Sequence, residues 1–359
     1  MNDTREAIEI LSALISTPSF SREEKGTHDL LAGILEKKGI PFTSAGNNLY
    51  ALNKSYDEHL PSLLLNSHHD TVKPNSGYSI DPFNPVIEDG KLFGLGSNDA
   101  GGALVSLLLT FCHFYDKPDL PVNLILGLSA EEEISGANGV ELLLKKMPEV
   151  HAGIVGEPTS GDVAITEKGL LVLDCKVYGK AGHAARNEGE NAIYKAIKDI
   201  EWFRTYQFPK ESKSLGPVHM NVTIINAGHQ HNVVPELCEY TVDVRTTDAY
   251  TLEQTLAIIK DHVNADVQPR STRLRPSSIE PNHPLYRAVE SCGFKTYGSP
   301  TLSDQALMPF PTIKLGPGDS ARSHSADEFI FIDQLEKGII DYQNLIESYF
   351  NIIAHETLG

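Results

Sequence analysis

The sequence has 359 residues, of which 40% are hydrophobic, and this length and composition predict two domains with a sizeable core. Its 48 acidic and 30 basic residues give a formal net charge of −18, which argues against binding to nucleic acid or to an anionic membrane. The four cysteines are widely spaced, which favours a reduced, cytoplasmic protein, and no stretch approaches the roughly 18 apolar residues of a membrane span.

The first part of the chain predicts an α/β domain. Apolar residues recur at helical spacing over 8–15, and Ser21 with Glu24 predicts a capping box for a second helix that ends at Gly39. Short apolar runs then alternate with helical patterns, at 63–65, 103–111, 122–128, 140–147 and 153–155. This alternation is typical of an α/β layer architecture with a largely buried sheet.

The pattern changes near residue 163. The stretch DVAITEKGLLVLDCKVYG (162–179) predicts a hairpin of two alternating strands. A helix, two strands and a second helix follow, at 193–203, 219–226, 238–245 and 251–263. This ββαββα order predicts a separate α+β domain with an antiparallel sheet and two helices on one face. The chain then returns to the first domain and ends in a helix over 333–354. The predicted domains are therefore 1–165 with 276–359, and an inserted domain over 166–275.

Polar side chains follow four predicted strands, where ligands gather in open α/β sheets. They are His68, His69 and Asp70 in NSHHDTV (66–72), Asp99 in GLGSNDAGG, Glu131, Glu132 and Glu133 in LILGLSAEEE, and Glu157 in GIVGEPT. Each motif alone has a structural explanation, such as a satisfied histidine or a solvated acidic helix cap. Together, the carboxylates would repel one another unless a cation neutralised them. Histidine and carboxylate ligands without thiolate favour Zn²⁺ or another borderline divalent ion.

These motifs resemble those of the M20 metallopeptidase and deacylase family. The resemblance covers nearly the whole chain in order: His68-x-Asp70, a GxGxxD segment ending at Asp99, Glu132-Glu133, Gly156-Glu157-Pro158, His324, and GKAGHAA (179–185), NVVPE (232–236) and DVR (243–245) in the insertion. It implies a mixed-sheet, di-metal aminopeptidase-like catalytic domain with helices on both faces. The insertion would be a lid and dimerisation domain with a four-stranded antiparallel sheet and two helices.

The resemblance also implies a site with two divalent ions, preferably Zn²⁺ and alternatively Co²⁺. Asp99 would bridge both ions, His68 and Glu157 would complete one site, and Glu133 and His324 the other. A cis peptide bond is expected after Asp99.

The polar residues next to the expected ligands are expected to have other roles. Asp70 would orient His68 through its ring N–H, and Glu132 would be the general base for amide hydrolysis. Glu131 is expected to be a solvated cap, and His69 to point away from the metals.

The insertion supplies candidate substrate-binding residues. His183 would donate to the oxyanion, from the same chain or from the partner subunit of a homodimer, and Asn232 and Arg245 would bind the substrate carboxylate. Structural alternatives remain open. His183 would then be a loop histidine without function, and Asn232 and Arg245 would belong to a turn or an ion pair that stabilises the inserted domain. Arg270, Arg273 and Arg275 are either solvated or bind a second acidic group of the substrate.

Within the family, LSDQALM (302–308) and GPGDSARSHSADEF (316–329) most resemble the acetylornithine deacetylases. The implied reaction is hydrolysis of an N-acyl amino acid such as acetylornithine, or acetyl- or succinylcitrulline, in arginine biosynthesis. Alternatives are succinyl-diaminopimelate desuccinylase or dipeptidase activity. A non-catalytic relative that binds metal or ligand is the alternative from another class, and it would be expected to lack a ligand or the base.

Overall fold

The computed structural model describes residues 2–186 and 188–358. The helices are α1 (Asn2–Ile15), α2 (Lys25–Lys37), α3 (Gly102–Phe114), α4 (Val140–Leu144), α5 (Ala192–Thr205), α6 (Leu252–His262), α7 (Pro284–Ser291) and α8 (Ile332–Leu358). The strands are β1 (Phe42–Ala45), β2 (Asn48–Leu52), β3 (Ser62–His68), β4 (Val86–Glu88), β5 (Lys91–Phe93), β6 (Asn123–Ser129), β7 (Ala152–Gly156), β8 (Val163–Glu167), β9 (Gly169–Tyr178), β10 (Gly182–His183), β11 (His219–Ala227), β12 (Val233–Val234), β13 (Leu237–Thr246), β14 (Asp266–Pro269), β15 (Ser277–Ser278), β16 (Thr296–Ser299), β17 (Thr312–Leu315) and β18 (Phe329–Phe331).

The chain divides into two compact units. The first comprises Met1–Ile165, Ser278–Tyr297 and Ser303–Gly359, and the second comprises Thr166–Ser277 and Gly298–Leu302. The second unit therefore includes a short later segment of the chain, Gly298–Leu302, which was not predicted from the sequence. Within the described ranges, no helix is both long and apolar enough to cross a membrane.

The first unit is built on a mixed nine-stranded sheet with the order β1-β2-β6-β3-β7-β17-β8-β15, and β16 pairs with β8. Its central strands are buried on both faces because alternate side chains enter different cores. Leu63 and Leu65 of β3 pack in the core that contains residues of α1, α3 and α8, whereas Leu64 packs with Val140 of α4. The predicted α/β architecture with helices on both faces is thus confirmed.

The second unit contains a separate four-stranded antiparallel sheet with the order β11-β13-β9-β14. Its core includes Leu171 and Leu173 of β9, Tyr240 of β13 and Phe203 of α5. The predicted strands and helices are present, but the predicted hairpin is wrong. β8 belongs to the nine-stranded sheet and β9 to the four-stranded sheet, and β14 supplies the remaining strand. The order in this unit is therefore βαββαβ.

The predicted capping box of α2 is also wrong. Glu24 is the N-cap residue, but no side-chain hydrogen bond caps the helix there. The Ser21 hydroxyl instead donates to Asp70 Oδ2 over 2.7 Å. The predicted end of the helix is correct, because Gly39 follows the C-cap residue with a φ of 67°, which favours glycine.

Candidate metal centre

The carboxyl ends of four neighbouring strands meet at one edge of the nine-stranded sheet. β6, β3, β7 and β17 lie side by side in this order, and each adjacent pair is parallel. His68 is the last residue of β3, Glu157 follows β7 directly, the helical turn Glu132–Ile134 follows β6, and His324 lies beyond β17. Parallel strands thus deliver the predicted side chains to a common edge, which is where open α/β sheets bind ligands.

Asp99 lies between two histidines. Its Oδ1 atom is 3.4 Å from His68 Nε2, and its Oδ2 atom is 3.6 Å from His324 Nε2. Asp99 belongs to the tight turn Ser97–Gly101 immediately before α3, and the Asp99–Ala100 peptide bond is cis, as predicted. A carboxylate that presents one oxygen to each histidine is suited to bridge two cations.

Further carboxylates face the same two histidines. Glu157 Oε1 and Glu132 Oε2 are 3.7 and 3.8 Å from His68 Nε2, and Glu133 Oε2 is 2.9 Å from His324 Nε2. The His68 side chain is 1% exposed, whereas that of His324 is 54% exposed. The structure therefore brings together His68, Asp99, Glu133, Glu157 and His324, with Glu132 in the same cluster.

The two ring nitrogens of His68 have different environments. Nδ1 is 3.0 Å from the main-chain oxygen of Asp70 and donates its proton there. Nε2 is buried, and it has no hydrogen-bond partner among the residues that the structure describes. An unsatisfied buried nitrogen surrounded by acidic oxygens is costly unless a cation lies between them. This nitrogen is the clearest indication of a metal ion.

Asp70 lies beside the His68 ring and makes further contacts that were not predicted. Its Oδ1 atom is 3.4 Å from His68 Nδ1, whereas the main-chain oxygen of Asp70 is 3.0 Å from the same nitrogen. Its carboxylate accepts the main-chain N–H groups of Glu132 and Glu133 over 3.0 and 3.2 Å, and the hydroxyl of Ser21. Asp70 therefore holds the turn that carries both glutamates, in addition to lying beside His68.

Burial and close contacts shift the acidity of the cluster. Burial alone would lower the pKa of His68, but the carboxylates of Glu132, Asp70 and Asp99 outweigh burial and raise it well above its usual range. Burial raises the pKa of Glu132 and of Glu157 well above their usual ranges, with further repulsion from Glu157 on the former and from Asp99 on the latter. Protons thus neutralise a concentration of negative charge that a divalent cation would neutralise when bound.

The residues present fit a divalent metal. Two groups of three side chains have ligand atoms within 4.8 Å of one another: His68 with Asp99 and Glu133, and His68 with Glu132 and Glu157. Imidazole and carboxylate without thiolate suit Zn²⁺ or a similar ion. The second group includes Glu132, to which the family resemblance gives the role of general base. Proximity alone does not separate a base from a ligand, because both must face the reacting water.

The neighbouring polar residues are structural. Glu131 is not the predicted solvated cap: it is 7% exposed and accepts hydrogen bonds from the main-chain and side-chain nitrogens of Asn138. The prediction is wrong because EEE does not begin a long helix but enters a three-residue turn. His69 contacts Thr27 through Nδ1 and the Asn47 carbonyl through Nε2. These contacts hold both ring nitrogens away from the cluster, as predicted, and burial lowers the pKa of His69 to about 4.

Asp304 is a buried acid near the cluster to which the sequence analysis gave no role. Its Oδ2 atom accepts the Ser129 hydroxyl over 2.6 Å and the Asn66 amide over 2.9 Å. Those partners belong to β6 and β3, the strands that lead to Glu132 and His68. Burial raises the pKa of Asp304 to about 6. The motif LSDQALM, which places Asp304 between two polar residues, was the available sequence signal.

In the second unit, His183 and Asn232 lie in adjacent segments. β10 pairs with β12, and the Ala184 N–H donates to the Asn232 carbonyl over 3.1 Å. His183 Nδ1 accepts the N–H of Ala185 over 3.2 Å, so the proton of the neutral ring lies on Nε2. The exposed His183 ring is therefore suited to donate a hydrogen bond.

The predicted carboxylate-binding arginine is paired within its own unit. Arg245 makes a two-point contact with Asp243, at 2.8 Å from Nε and 3.0 Å from Nη2. The two side chains are 34% and 30% exposed. Two of the other predicted arginines are also paired: Arg270 with Asp174 and Arg275 with Glu253. Arg245, Arg270 and Arg275 are thus each held by an acid of the same unit.

Comparison with known proteins identifies the family. A sequence profile of Peptidase family M20/M25/M40 matches residues 64–348. An acetylornithine deacetylase from Shigella sonnei (strain Ss046) is 28% identical over 356 residues, covering 90% of this chain and 92% of the relative. A succinyl-diaminopimelate desuccinylase from Wolbachia pipientis subsp. Culex pipiens (strain wPip) is 25% identical over 383 residues, covering 96% and 94%.

A solved structure has the same fold. The YXEP protein of Bacillus subtilis, described as a dinuclear metal binding peptidase from the M20 family, has a TM-score of 0.70 at 16% identity, covering 96% of this chain and 98% of that chain. The family profile spans most of the chain, from β3 into the last helix. The protein therefore belongs to Peptidase family M20/M25/M40 and is an amidohydrolase of that family.

Proposed function

We propose that the protein hydrolyses the amide bond of an N-acyl amino acid, with acetylornithine as the preferred substrate, in arginine biosynthesis. The observation that carries the chemistry is the position of Asp99 between His68 and His324, beside a His68 nitrogen that lacks a partner among the described residues. The 28% identical acetylornithine deacetylase supports the substrate.

The site would hold two divalent ions, with Zn²⁺ favoured over Co²⁺. His68 and Glu157 would bind one ion, Glu133 and His324 the other, and Asp99 both. This leaves three protein ligands for each ion and open positions for water and substrate, which is typical of catalytic rather than structural sites. The chemistry that such a pair supplies when bound is activation of water and polarisation of the amide carbonyl.

Glu132 would be the general base. It would take a proton from the water that attacks the carbonyl carbon and deliver it to the amine nitrogen as the C–N bond breaks. Its placement supports this role, since Glu132 Oε2 faces the cluster and its main-chain N–H is held by Asp70. The products are the free carboxylic acid, acetate for an acetyl substrate, and the free amino acid.

Residues of the second unit would bind the substrate. His183 would donate Nε2–H to the developing oxyanion, which the hydrogen bond at its Nδ1 supports. Asn232 and Arg245 would bind the α-carboxylate, with Arg245 retaining or exchanging its contact with Asp243. His183 would come from the same chain or from a second copy.

The 25% identical desuccinylase supports a second candidate, succinyl-diaminopimelate. A succinyl group carries an additional carboxylate and would need an additional cationic partner. Arg270 and Arg275 are each paired with an acid, as Arg245 is, so a succinyl carboxylate would have to share or displace one of these contacts.

We further propose that the protein is a homodimer, paired through the second unit, in a reducing, cytoplasmic environment. β11 is an edge strand, and its side chains Ile224 and Ile225 are 50% and 52% exposed. Tyr194 and Ile197 of α5 are also exposed. An open strand edge with apolar side chains is suited to pair with a second copy. The four free cysteines support the reducing environment.

The decisive experiment compares release of amine and carboxylate from acetylornithine, acetylcitrulline, succinylcitrulline and succinyl-diaminopimelate, with added Zn²⁺ or Co²⁺. The highest kcat/KM is expected for acetylornithine. A higher value for succinyl-diaminopimelate would reverse the substrate order. Metal binding without turnover of any of these compounds would instead favour a non-catalytic relative.

A further inference from the structure

Glu328 is a buried acid between His324 and β18, and it is not among the proposed ligands. It is 2% exposed. Its Oε1 atom accepts the main-chain N–H groups of Asn98 and Asp99 over 2.9 and 2.8 Å, and its Oε2 atom accepts that of Gly96 over 2.9 Å. Buried main-chain N–H groups need acceptors, and one side chain supplies the acceptor for all three here. Glu328 therefore fixes the main chain that leads into Asp99.

The same two segments are joined at a second point. Asn98 Oδ1 accepts the N–H of Asp319 over 2.9 Å, and Asn98 Nδ2 donates to the Asp319 carbonyl over 3.1 Å. The turn that carries Asp99 is thus hydrogen-bonded to both ends of the segment 319–328. His324 lies inside that segment.

We infer that Glu328 is a positioning residue of the metal centre, which sets the turn of Asp99 against the loop of His324. The inference rests on the proposed function, because it takes both residues as ligands. The alternative is that Glu328 only satisfies buried N–H groups and so stabilises the fold. Its position supports the larger role: the N–H of Asp99 is one of its three partners, and Asp99 must face His68 and His324 at the same time. A small shift of this turn would therefore alter the sites of both ions.

The test uses Glu328→Gln, which preserves the shape of the side chain. Its amide oxygen can still accept two N–H groups, but its amide nitrogen cannot accept the third. Asp199→Asn is the matched control in the second unit. Asp199 is also buried and accepts main-chain N–H groups, those of Asn264 and Ala265, neither of which is a proposed metal ligand.

The full-length proteins are freed of metal by chelation and titrated with Co²⁺, followed by calorimetry and visible absorption. Glu328→Gln is expected to weaken binding of at least one Co²⁺ ion by about 10–100-fold and to change the visible spectrum. Asp199→Asn is expected to lower the Tm and leave Co²⁺ affinity and spectrum unchanged. If Glu328→Gln does not fold, Glu328→Asp is measured in the same way. This variant keeps the carboxyl group but shortens the side chain, and it is expected to weaken Co²⁺ binding.

Two results would overturn the inference, and they are distinguishable. Wild-type affinity and spectrum in a folded Glu328 variant would leave the proposed metal centre intact and reduce Glu328 to a structural residue. Failure of the wild-type protein to bind Co²⁺ would overturn the metal centre and this inference together.

Discussion

The metal centre of the first unit and the candidate substrate residues of the second unit are built in opposite ways. His68 is 1% exposed, and the neighbouring Asp70 accepts three hydrogen bonds from Ser21 and the glutamate turn. His183 and Asn232, by contrast, lie on exposed segments joined by a two-residue ladder. The comparison indicates a cluster that is held in place by its own hydrogen bonds, whereas the proposed substrate-binding residues lie on segments with few such constraints.

The largest effect is expected within this cluster. Glu132→Gln should lower kcat by about 10²–10⁴-fold, because an amide of the same shape cannot take a proton from water. Bound metal, measured by elemental analysis, should remain at the wild-type ratio, because the proposed ligands are unchanged.

Glu133→Gln is the matched comparison on the same turn. It should lose metal as well as activity, since its Oε2 atom lies 2.9 Å from His324 Nε2. If Glu132→Gln loses metal and Glu133→Gln retains it, the roles of the two glutamates are reversed, as the grouping of Glu132 with His68 and Glu157 would allow.

Substitutions in the second unit should have smaller and mutually distinct effects. His183→Ala should lower kcat by about 10²-fold with little change in KM, since its hydrogen bond strengthens only as the oxyanion forms.

Arg245→Ala should raise KM more than it lowers kcat, since it removes a partner of the ground-state carboxylate. Steady-state kinetics on acetylornithine separates these outcomes. Wild-type kinetics in both variants would make these residues structural and remove support for the substrate assignment.

A mixing experiment tests whether the second unit acts across subunits. Glu132→Gln and His183→Ala proteins are each expected to be nearly inactive. If His183 acts on the partner's site in a two-fold symmetric dimer, re-equilibrated equal mixtures should recover about a quarter of wild-type activity. Recovery that disappears in an Ile224→Lys background, together with a monomeric mass in sedimentation, would link the effect to β11. No recovery in a mixture that does form heterodimers would show that each chain completes its own site.

The sequence predicted the fold where local patterns determine it. The buried run of β3, the alternation of β9 and the long terminal helix α8 each have their own periodicity, and all are present. The hairpin was wrong because alternation identifies a strand but not its partner, and β8 and β9 join different sheets. The capping box was wrong because the Ser21 hydroxyl has an acceptor in Asp70, 49 residues away.

The candidate site was likewise predictable only where local motifs identify its residues. Strand-end acids and histidines, read with the family motifs, placed together residues that the structure brings into one cluster. Asp304 and Glu328 were not identified, because their contacts are non-local. Asp304 bonds Asn66 across 238 residues, and Glu328 bonds Gly96 across 232. The sequence alone does not distinguish a buried acid from a solvated one, because the hydrogen-bond partners that allow burial lie far away along the chain.

The smallest expected effect concerns the pH dependence of stability without metal. Burial raises the pKa of Asp304 to about 6, whereas the pKa of an aspartate in the unfolded chain is near 3.8. Between these values the folded protein binds more protons than the unfolded chain, so the stability that this group contributes is lost as pH rises through that window. The slope is at most about 1.4 kcal/mol per pH unit for one proton. Asp304→Asn keeps an oxygen that can accept from Ser129 and Asn66 but carries no charge.

The metal-free Asp304→Asn protein should therefore gain stability relative to metal-free wild type as pH rises from 4.5 to 7, as measured by calorimetric unfolding at each pH. The wild-type curve alone is not diagnostic, because the raised pKa values of Glu132 and Glu157 contribute in the same direction. The difference between variant and wild type reports Asp304 together with the part of the Glu132 and Glu157 pKa shifts that its charge causes, which has the same sign. Asp199→Asn in the second unit controls for the loss of a buried carboxylate elsewhere. Saturating Zn²⁺ should reduce the difference, because the bound cations favour the ionised form of nearby carboxylates. A difference that does not vary with pH would mean that Asp304 is ionised throughout this range, and that its bonds to Ser129 and Asn66 outweigh the cost of burial.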